Sequence, residues 1–132
     1  MDGAGDEPAV RVIGLDHVVL IVADVEASVR WYRDVLGMSI ERLEPWRRGE
    51  VPFPSARVDA TTIIDLVQGN PGGVNVDHIA LEIEPVDLAE LVASARLRVE
   101  GPPRRLSGAR GIGEGLYVQD PDGHRIELRV YP

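Results

Sequence analysis

The chain has 132 residues, of which 44% are hydrophobic and 27% are charged, so it is long and apolar enough for one domain with a buried core. Its 14 basic residues are all arginine and its 22 acidic residues outnumber them, which gives a net charge of −8 and no electrostatic support for binding nucleic acid or an anionic membrane. The absence of lysine and cysteine excludes Schiff-base chemistry, thiolate catalysis, disulfides and cysteine-based zinc sites.

The N-terminal stretch, residues 1–10, has the sequence MDGAGDEPAV. It is acidic, contains glycine and proline, and lacks the basic and apolar segments of an export signal, so we expect a short disordered tail. The longest apolar run, Val18–Ala23, is far too short to span a bilayer. We therefore expect a cytoplasmic protein that does not insert into membranes.

Two segments of the chain resemble each other: LDHVVLIV at Leu15–Val22 and VDHIALEI at Val76–Ile83. Each is mostly apolar and contains β-branched residues, which predicts a strand, and each has an Asp-His pair near its start. His17 and His78 therefore occupy equivalent positions, 61 residues apart. Such a repeat predicts that the chain contains two copies of one structural unit.

The strands that close each half carry a matching carboxylate. TTIIDLV contains Asp65 and HRIELRV contains Glu127, which lies 62 positions later, so one duplication accounts for the carboxylates as well as the histidines. Asp65 has apolar neighbours, and its burial would cost several kcal/mol unless it is paired or binds a cation. Glu127 shares its strand face with Arg125 and Arg129, so an exposed, charge-paired stripe is the alternative to a buried ligand. If these arginines faced a site, they would favour an anionic substrate.

Between these strands, the first half predicts a helix followed by three strands. Asp24 is a good N-cap for a helix through VEASVRWYRDVLG, and Gly37 is a suitable C-cap. The apolar stripe of this helix comprises Val25, Val29, Tyr32 and Leu36. The following strands are expected at Ser39–Trp46, Ser55–Ala60 and Thr61–Gln68.

The second half repeats this order. Glu84 and Pro85 open a shorter helix through VDLAELVASA. The turn sequence DPDG at Asp120–Gly123 predicts a hairpin between the last two strands. The glycine-rich segment Arg105–Glu114 lacks the strand-to-helix context of a phosphate loop, so we expect a mobile rim there. The strands of this half are expected at Arg98–Arg104, Gly115–Gln119 and His124–Tyr131.

These elements predict an α+β fold of two βαβββ modules, residues 11–68 and 76–132, joined by the Gly-, Asn- and Pro-rich linker 69–75. Modules that pack side by side would bring together two imidazoles and two carboxylates, whether they pair within one chain or between chains. That ligand set suits Ni²⁺, Zn²⁺, Mn²⁺, Fe²⁺ or Co²⁺, and one carboxylate fewer leaves a two-His-one-carboxylate site. A single strand histidine is more often a core or surface group, but the matched contexts favour a metal site.

Three segments resemble the vicinal oxygen chelate superfamily, which includes glyoxalase I, bleomycin-resistance proteins, fosfomycin-resistance enzymes and extradiol dioxygenases. They are GLDHVVLIVADVEASVRWYRDVLGM, VDHIALEI and GLYVQDPDGHRIELRV. Together they cover nearly the whole chain, and they are specific for the superfamily rather than for one reaction. The resemblance implies a cup-shaped mixed sheet of paired βαβββ modules, a divalent metal ion in the cup, and a homodimer.

The resemblance also implies roles for individual residues. His17, His78 and Glu127 match the metal ligands of the superfamily, and Asp65 falls where glyoxalase I has a further glutamate ligand. Asp65 or Glu127 would serve as the base, and Tyr117 would hydrogen-bond the substrate. The implied function is a metal-dependent enzyme of lyase, isomerase or dioxygenase type, whose metal acts as a Lewis acid on a small oxygen-bearing substrate. The alternative is a metal-free small-molecule-binding protein of the bleomycin-resistance type.

Overall fold

A mixed sheet of nine strands runs through the computed structural model, which describes residues 7–119, 121 and 123–132. The strands are β1 Val12–Val22, β2 Ser39–Glu41, β3 Ser55–Asp59, β4 Thr62–Gln68, β5 Val76–Ile83, β6 Arg98–Val99, β7 Arg104–Gly108, β8 Gly111–Gln119 and β9 Arg125–Val130. The helices are α1 Val25–Arg30, which continues as a π-helical segment Trp31–Val35, α2 Leu43–Arg47 and α3 Leu88–Ala93. Within the described residues, no helix combines the length and apolar character that a membrane span requires.

The strand order is β2-β3-β4-β1-β5-β9-β8-β6, with β7 paired to β8. In each half the first strand is parallel to the last one, β1 to β4 and β5 to β9, and the other pairs are antiparallel. β1 and β5 lie side by side in the middle of the sheet and join the two halves in antiparallel orientation. The predicted α+β class is confirmed, and both halves of the sheet come from one chain.

The helices cover one face of the sheet and leave the other face free for a site. In β4, Ile64 and Leu66 pack with α1, while Asp65 and Val67 point to the opposite face, as the alternation of a strand requires. A second core packs α3 on the other half: Ile83, Leu88, Leu91, Leu116, Val118 and Leu128. Residues 1–6 of the expected disordered tail lie outside the described residues, whereas Ala9 and Val10 pack against this second core.

Helix α1 begins as predicted but changes its winding. The Asp24 side chain accepts a hydrogen bond from the Ala27 amide at 3.1 Å, which confirms the predicted N-cap. From Trp31 the helix is π-wound, and this wider turn rotates the later residues around the axis. Tyr32 still contacts the core, but Leu36 is 52% exposed, so its assignment to the buried stripe is wrong.

Several boundaries differ from the sequence prediction. The strand expected at Ser39–Trp46 ends at Glu41 and is followed by α2, because Leu43 and Trp46, three residues apart, both pack against the core between α1 and β4. Helix α3 is capped by Asp87 rather than opened by Pro85. The antiparallel pairing of β8 with β9 agrees with the predicted hairpin, although residues 120 and 122 of its turn lie outside the described residues.

The expectation of a mobile rim at Arg105–Glu114 is wrong, because this segment forms the β7–β8 hairpin. Its glycines serve close packing and a tight turn rather than mobility. A Cβ atom on Gly108 would lie 2.6 Å from an oxygen of Asp16, and Gly111 has a φ of +101° directly after the two-residue turn. Glycine content alone therefore did not distinguish a mobile segment from a tightly packed hairpin.

Candidate metal centre

The central strand pair brings the two histidines of the repeat together on the free face of the sheet. His17 on β1 and His78 on β5 have their Nε2 atoms 3.3 Å apart. Glu127 on β9, the strand next to β5, places Oε1 at 3.4 Å from Nε2 of His17 and 3.2 Å from Nε2 of His78. Three residues from three different strands therefore converge on one point within a single chain.

Each histidine is oriented by the aspartate that precedes it. In the pairing of β1 with β5, Asp16 and Asp77 are each the extra residue of a β-bulge. A bulge interrupts the strict alternation of side chains, so each aspartate can accept a hydrogen bond from Nδ1 of the next residue, at 2.7 Å for both His17 and His78. The sequence prediction missed these two residues, although the repeated Asp-His pair was the available signal.

The spacing of the three donor atoms suits one shared cation. Two ligands at about 2.1 Å from one ion, at octahedral or tetrahedral angles, lie roughly 3.0 to 3.4 Å apart. The three observed separations, 3.3, 3.4 and 3.2 Å, fall within that range. Two imidazole nitrogens and one carboxylate oxygen are also a donor set that suits divalent transition metals. The residues present therefore fit the metal that the sequence led us to expect.

Glu127 is buried, with 1% of its surface exposed, so the alternative of an exposed charged stripe is wrong. Arg129 is completely buried and donates Nη1 to the Oε2 atom of Glu127 at 2.6 Å. The same guanidinium donates to the carbonyls of Leu106 and Ser107, and Arg129 is not among the residues that line the cavity described below. The condition under which Arg129 would favour an anionic substrate, namely that it faces the site, is therefore not met. Arg125 is exposed and donates to Glu100.

Burial and pairing oppose each other in setting the pKa values of the cluster. Burial by itself would raise the pKa of Glu127, but the two imidazoles and Arg129 hold it well below its usual range. Burial by itself would lower the pKa of His17, but its hydrogen bonds to Asp16 and Glu127 raise it to about 9. The cluster therefore favours positive charge at the place where a cation would replace the proton.

Asp65 occupies the position in the first half that Glu127 occupies in the second. Each carboxylate lies beside the residue that follows a site histidine by two positions, Val19 for Asp65 and Ala80 for Glu127. Asp65 is not a member of the three-residue cluster, since its Oδ1 accepts hydrogen bonds from Ser55 at 2.5 Å and from Arg42 at 3.4 Å. Burial raises the pKa of this carboxyl, and the hydrogen bond from Ser55 offsets that only in part.

A cavity of about 380 Å³ opens above the cluster. Its apolar wall consists of Val19, Ile21, Pro52, Phe53, Val67 and Leu106. Tyr117 and Asp65 also line it, and the Tyr117 ring packs edge-on against His78 with 5.4 Å between centroids. Burial raises the pKa of the Tyr117 hydroxyl. No arginine is among the described residues that line the cavity.

Comparison with known proteins agrees with this fold. The sequence profile of the glyoxalase/bleomycin resistance protein/dioxygenase superfamily matches residues 14–128. The chain is 28% identical over 125 residues to a probable lactoylglutathione lyase of Synechocystis, covering 85% of this chain and 91% of that protein. It is 30% identical over 129 residues to an iron-dependent extradiol dioxygenase of Rhodococcus jostii, covering 87% of this chain but only 42% of the dioxygenase.

A solved structure, methylmalonyl-CoA epimerase from Mycobacterium tuberculosis, has the same fold, with a TM-score of 0.63 at 22% identity over 98% of this chain and 95% of the epimerase. The fold and the cluster of two histidines and a glutamate define a protein of the vicinal oxygen chelate class. The chain belongs to the glyoxalase/bleomycin resistance protein/dioxygenase superfamily. Its relatives include lyases and dioxygenases, so an enzymatic function is supported at the level of the superfamily.

Proposed function

We propose that this protein is a metal-dependent enzyme that catalyses proton transfer, of lyase or isomerase type, on a small neutral substrate with two neighbouring oxygens. The observation that carries the proposal is the convergence of His17 Nε2, His78 Nε2 and Glu127 Oε1 within 3.4 Å of one another at the base of the cavity. These three residues would hold one divalent cation. When bound, the cation supplies Lewis acidity that lowers the energy of negative charge on the substrate oxygens.

Asp65 supports proton transfer rather than a purely binding role. It lines the same cavity as the cluster, but Ser55 and Arg42 hold its carboxylate apart from the three ligands. Because burial raises its pKa, Asp65 is closer to the pH at which a carboxylate both accepts and returns a proton efficiently. We assign it as the base that takes a proton from a substrate carbon beside a carbonyl, while the electron pair of that bond moves to the carbonyl oxygen.

Tyr117 and the apolar wall would position the substrate. Tyr117 lies beside Glu127 on the neighbouring strand and contacts His78 through its ring, so its hydroxyl is suited to donate a hydrogen bond to a substrate oxygen. Val19, Ile21 and Phe53 exclude water from the remainder of the substrate. The absence of arginine among the described lining residues favours neutral substrates over the anionic ones.

The first test measures metal content. Protein prepared with excess Zn²⁺ or Co²⁺ and then dialysed is expected to hold one ion per chain, as measured by elemental analysis, and a Glu127→Gln variant is expected to hold none. Wild-type protein that stays metal-free would contradict the proposal. Thermal stabilisation by small ligands that a chelator does not change would instead indicate a metal-free binding protein.

The second test measures the reaction. Hydroxyacetone, a neutral molecule with two neighbouring oxygens, is incubated with metal-loaded protein in D₂O, and deuterium incorporation next to its carbonyl is followed by NMR. We expect catalysed incorporation that Asp65→Asn abolishes although the metal is retained. If no such exchange occurs and the protein consumes oxygen with catechol, the proposed activity is wrong and dioxygenase chemistry takes its place.

A homodimer and a cytoplasmic location remain proposals. All the cluster residues come from one chain, so the site itself does not require a second copy. Sedimentation analysis of the purified protein tests the dimer, and fractionation of the cells that produce it tests the location.

A further inference from the structure

The two Asp-His pairs of the repeat have equal hydrogen bonds but different surroundings. Both Nδ1 to carboxylate distances are 2.7 Å. The Asp16 side chain, however, is only 1% exposed, whereas that of Asp77 is 43% exposed. Water can take the place of an exposed carboxylate, but the loss of a buried one leaves its donors unpaired. We therefore expect the loss of Asp16 to disturb the surrounding structure more than the loss of Asp77.

Asp16 accepts hydrogen bonds from three parts of the chain. Its Oδ2 atom accepts from Nδ1 of His17 and from the Ala109 amide at 3.0 Å, and its Oδ1 atom accepts from the Tyr131 hydroxyl. Ala109 is in the turn of the β7–β8 hairpin, and its carbonyl accepts from Arg57. These donors surround the carboxylate, so it cannot rotate without leaving at least one buried donor unsatisfied.

Arg129 extends this network to the second ligand. Its Nε atom is buried without a hydrogen bond and lies 3.7 Å from Oδ2 of Asp16, while its Nη1 atom donates to Oε2 of Glu127 at 2.6 Å. Asp16 thus provides the balancing negative charge on one side of the guanidinium and Glu127 provides it on the other. Because Oε2 of Glu127 is held by Arg129, the Oε1 atom is the one that faces the two histidines.

We propose that Asp16 is the positioning residue of the metal centre, which holds the ring of His17 directly and the carboxylate of Glu127 through Arg129. The proposal rests on the metal-dependent function proposed above. Asp77 orients His78 alone and, being exposed, is replaceable by water. One buried carboxylate therefore determines the orientation of two of the three ligands, together with the position of the hairpin whose Leu106 lines the cavity.

The experiment compares Asp16→Ala with Asp77→Ala, a matched control in the same motif, and with Asp16→Asn, whose amide oxygen can still accept from Nδ1 of His17. The probe is Co²⁺, whose affinity is titrated calorimetrically and whose visible spectrum reports ligand geometry. We expect Asp16→Ala to weaken Co²⁺ binding roughly 10- to 100-fold and to change the spectrum, as removal of such outer partners does. Asp77→Ala is expected to weaken binding less than about threefold. Asp16→Asn, which keeps an acceptor for His17 but lacks the charge that balances Arg129, is expected to recover part of the affinity.

A second measurement does not use metal. The Nδ1 proton of His17 is expected to give a slowly exchanging NMR signal in wild-type, Asp77→Ala and Asp16→Asn protein, and to be absent in Asp16→Ala. Equal losses of Co²⁺ affinity in Asp16→Ala and Asp77→Ala, or an unchanged His17 signal in Asp16→Ala, would overturn the role of Asp16. Wild-type protein that binds no Co²⁺ while these NMR differences hold would overturn the proposed function instead.

Discussion

Both halves of the molecule pair their first strand in parallel with their last and place a carboxylate at the equivalent register, yet the two carboxylates have different partners. Glu127 extends one methylene further than Asp65 and contacts both imidazoles, whereas Asp65 is held by Ser55 and Arg42. The duplication therefore supplies two equivalent positions, of which only one contributes to the three-residue cluster. The other places a carboxylate in the same cavity, where we propose that it transfers a proton.

The histidines differ in a similar way. His17 is 3% exposed and its aspartate is buried, whereas the second half places His78 at the edge of the cavity beside an exposed Asp77. The first half thus contributes the more buried histidine of the cluster, and the second half contributes its carboxylate. The two repeats can carry different side chains at equivalent positions because the strand register of each module sets where its own side chains point.

The largest expected effect is on Glu127. Glu127→Gln removes one metal ligand and leaves the buried Arg129 without its charged partner, so we expect loss of stoichiometric metal and a free energy of unfolding lower by about 3–5 kcal/mol. Elemental analysis and urea unfolding measure the two effects. If the variant retains one metal ion per chain, Glu127 is not required for metal binding, and the carboxylates of the two halves do not differ in this role.

The next effect is a pH dependence of the metal-free protein. The folded-state pKa of His17 is raised from 6.5 to about 9, so protonated His17 stabilises the folded state. This contribution is complete below pH 6.5, declines above it and is lost once the pH passes about 9. Urea unfolding in the presence of a chelator, at pH values on both sides of this window, measures it. His17→Gln should remove most of the slope, and an unchanged slope would assign it to other groups.

The helix caps of the two halves give a smaller effect. Asp24 accepts from one backbone amide of α1, and Asp87 accepts from two amides of α3. We expect Asp24→Ala and Asp87→Ala each to lower the free energy of unfolding by about 1 kcal/mol, with the larger loss at Asp87. Asp34→Ala, which removes an exposed carboxylate that caps no helix, is the control and should change stability by less than about 0.5 kcal/mol. Chemical denaturation of the three variants measures the difference.

The smallest expected effect is on metal binding by Asp65→Asn. Because Asp65 lies outside the cluster, we expect one ion per chain and a dissociation constant within about threefold of the wild type, a difference of about 0.7 kcal/mol. Calorimetric titration with Zn²⁺ measures it. Loss of metal in this variant would make Asp65 a fourth ligand, as the resemblance to glyoxalase I implies.

The architecture could be predicted because the repeat is long and its strands are strongly patterned. The period of the sequence pairs His17 with His78 and Asp65 with Glu127, and the structure brings the two histidines and Glu127 together. The roles of Asp16 and Asp77 could not be predicted in this way, because strict strand alternation places adjacent residues on opposite faces and only the bulges change that.

The errors have a common physical origin in contacts between distant parts of the chain. The glycines of β7 and β8 indicated mobility, but Gly108 is small because Asp16 and Arg129 lie against it. The strand expected after Ser39 was interrupted because Leu43 and Trp46 reach the core at helical spacing. The Gly108 contact leaves no local signal in the sequence, whereas the three-residue spacing of Leu43 and Trp46 is a helical signal that the strand prediction overlooked.

The antiparallel pairing of β1 with β5 is the seam between the two halves, and the histidines lie on either side of it. An ion shared by His17 and His78 would therefore crosslink the halves at their junction rather than stabilise either one alone. Amide hydrogen exchange in these two strands should slow markedly when metal is added, while the outermost strands exchange as before. The exchange rates of the amides in the central strand pair would thus report whether the metal centre is occupied.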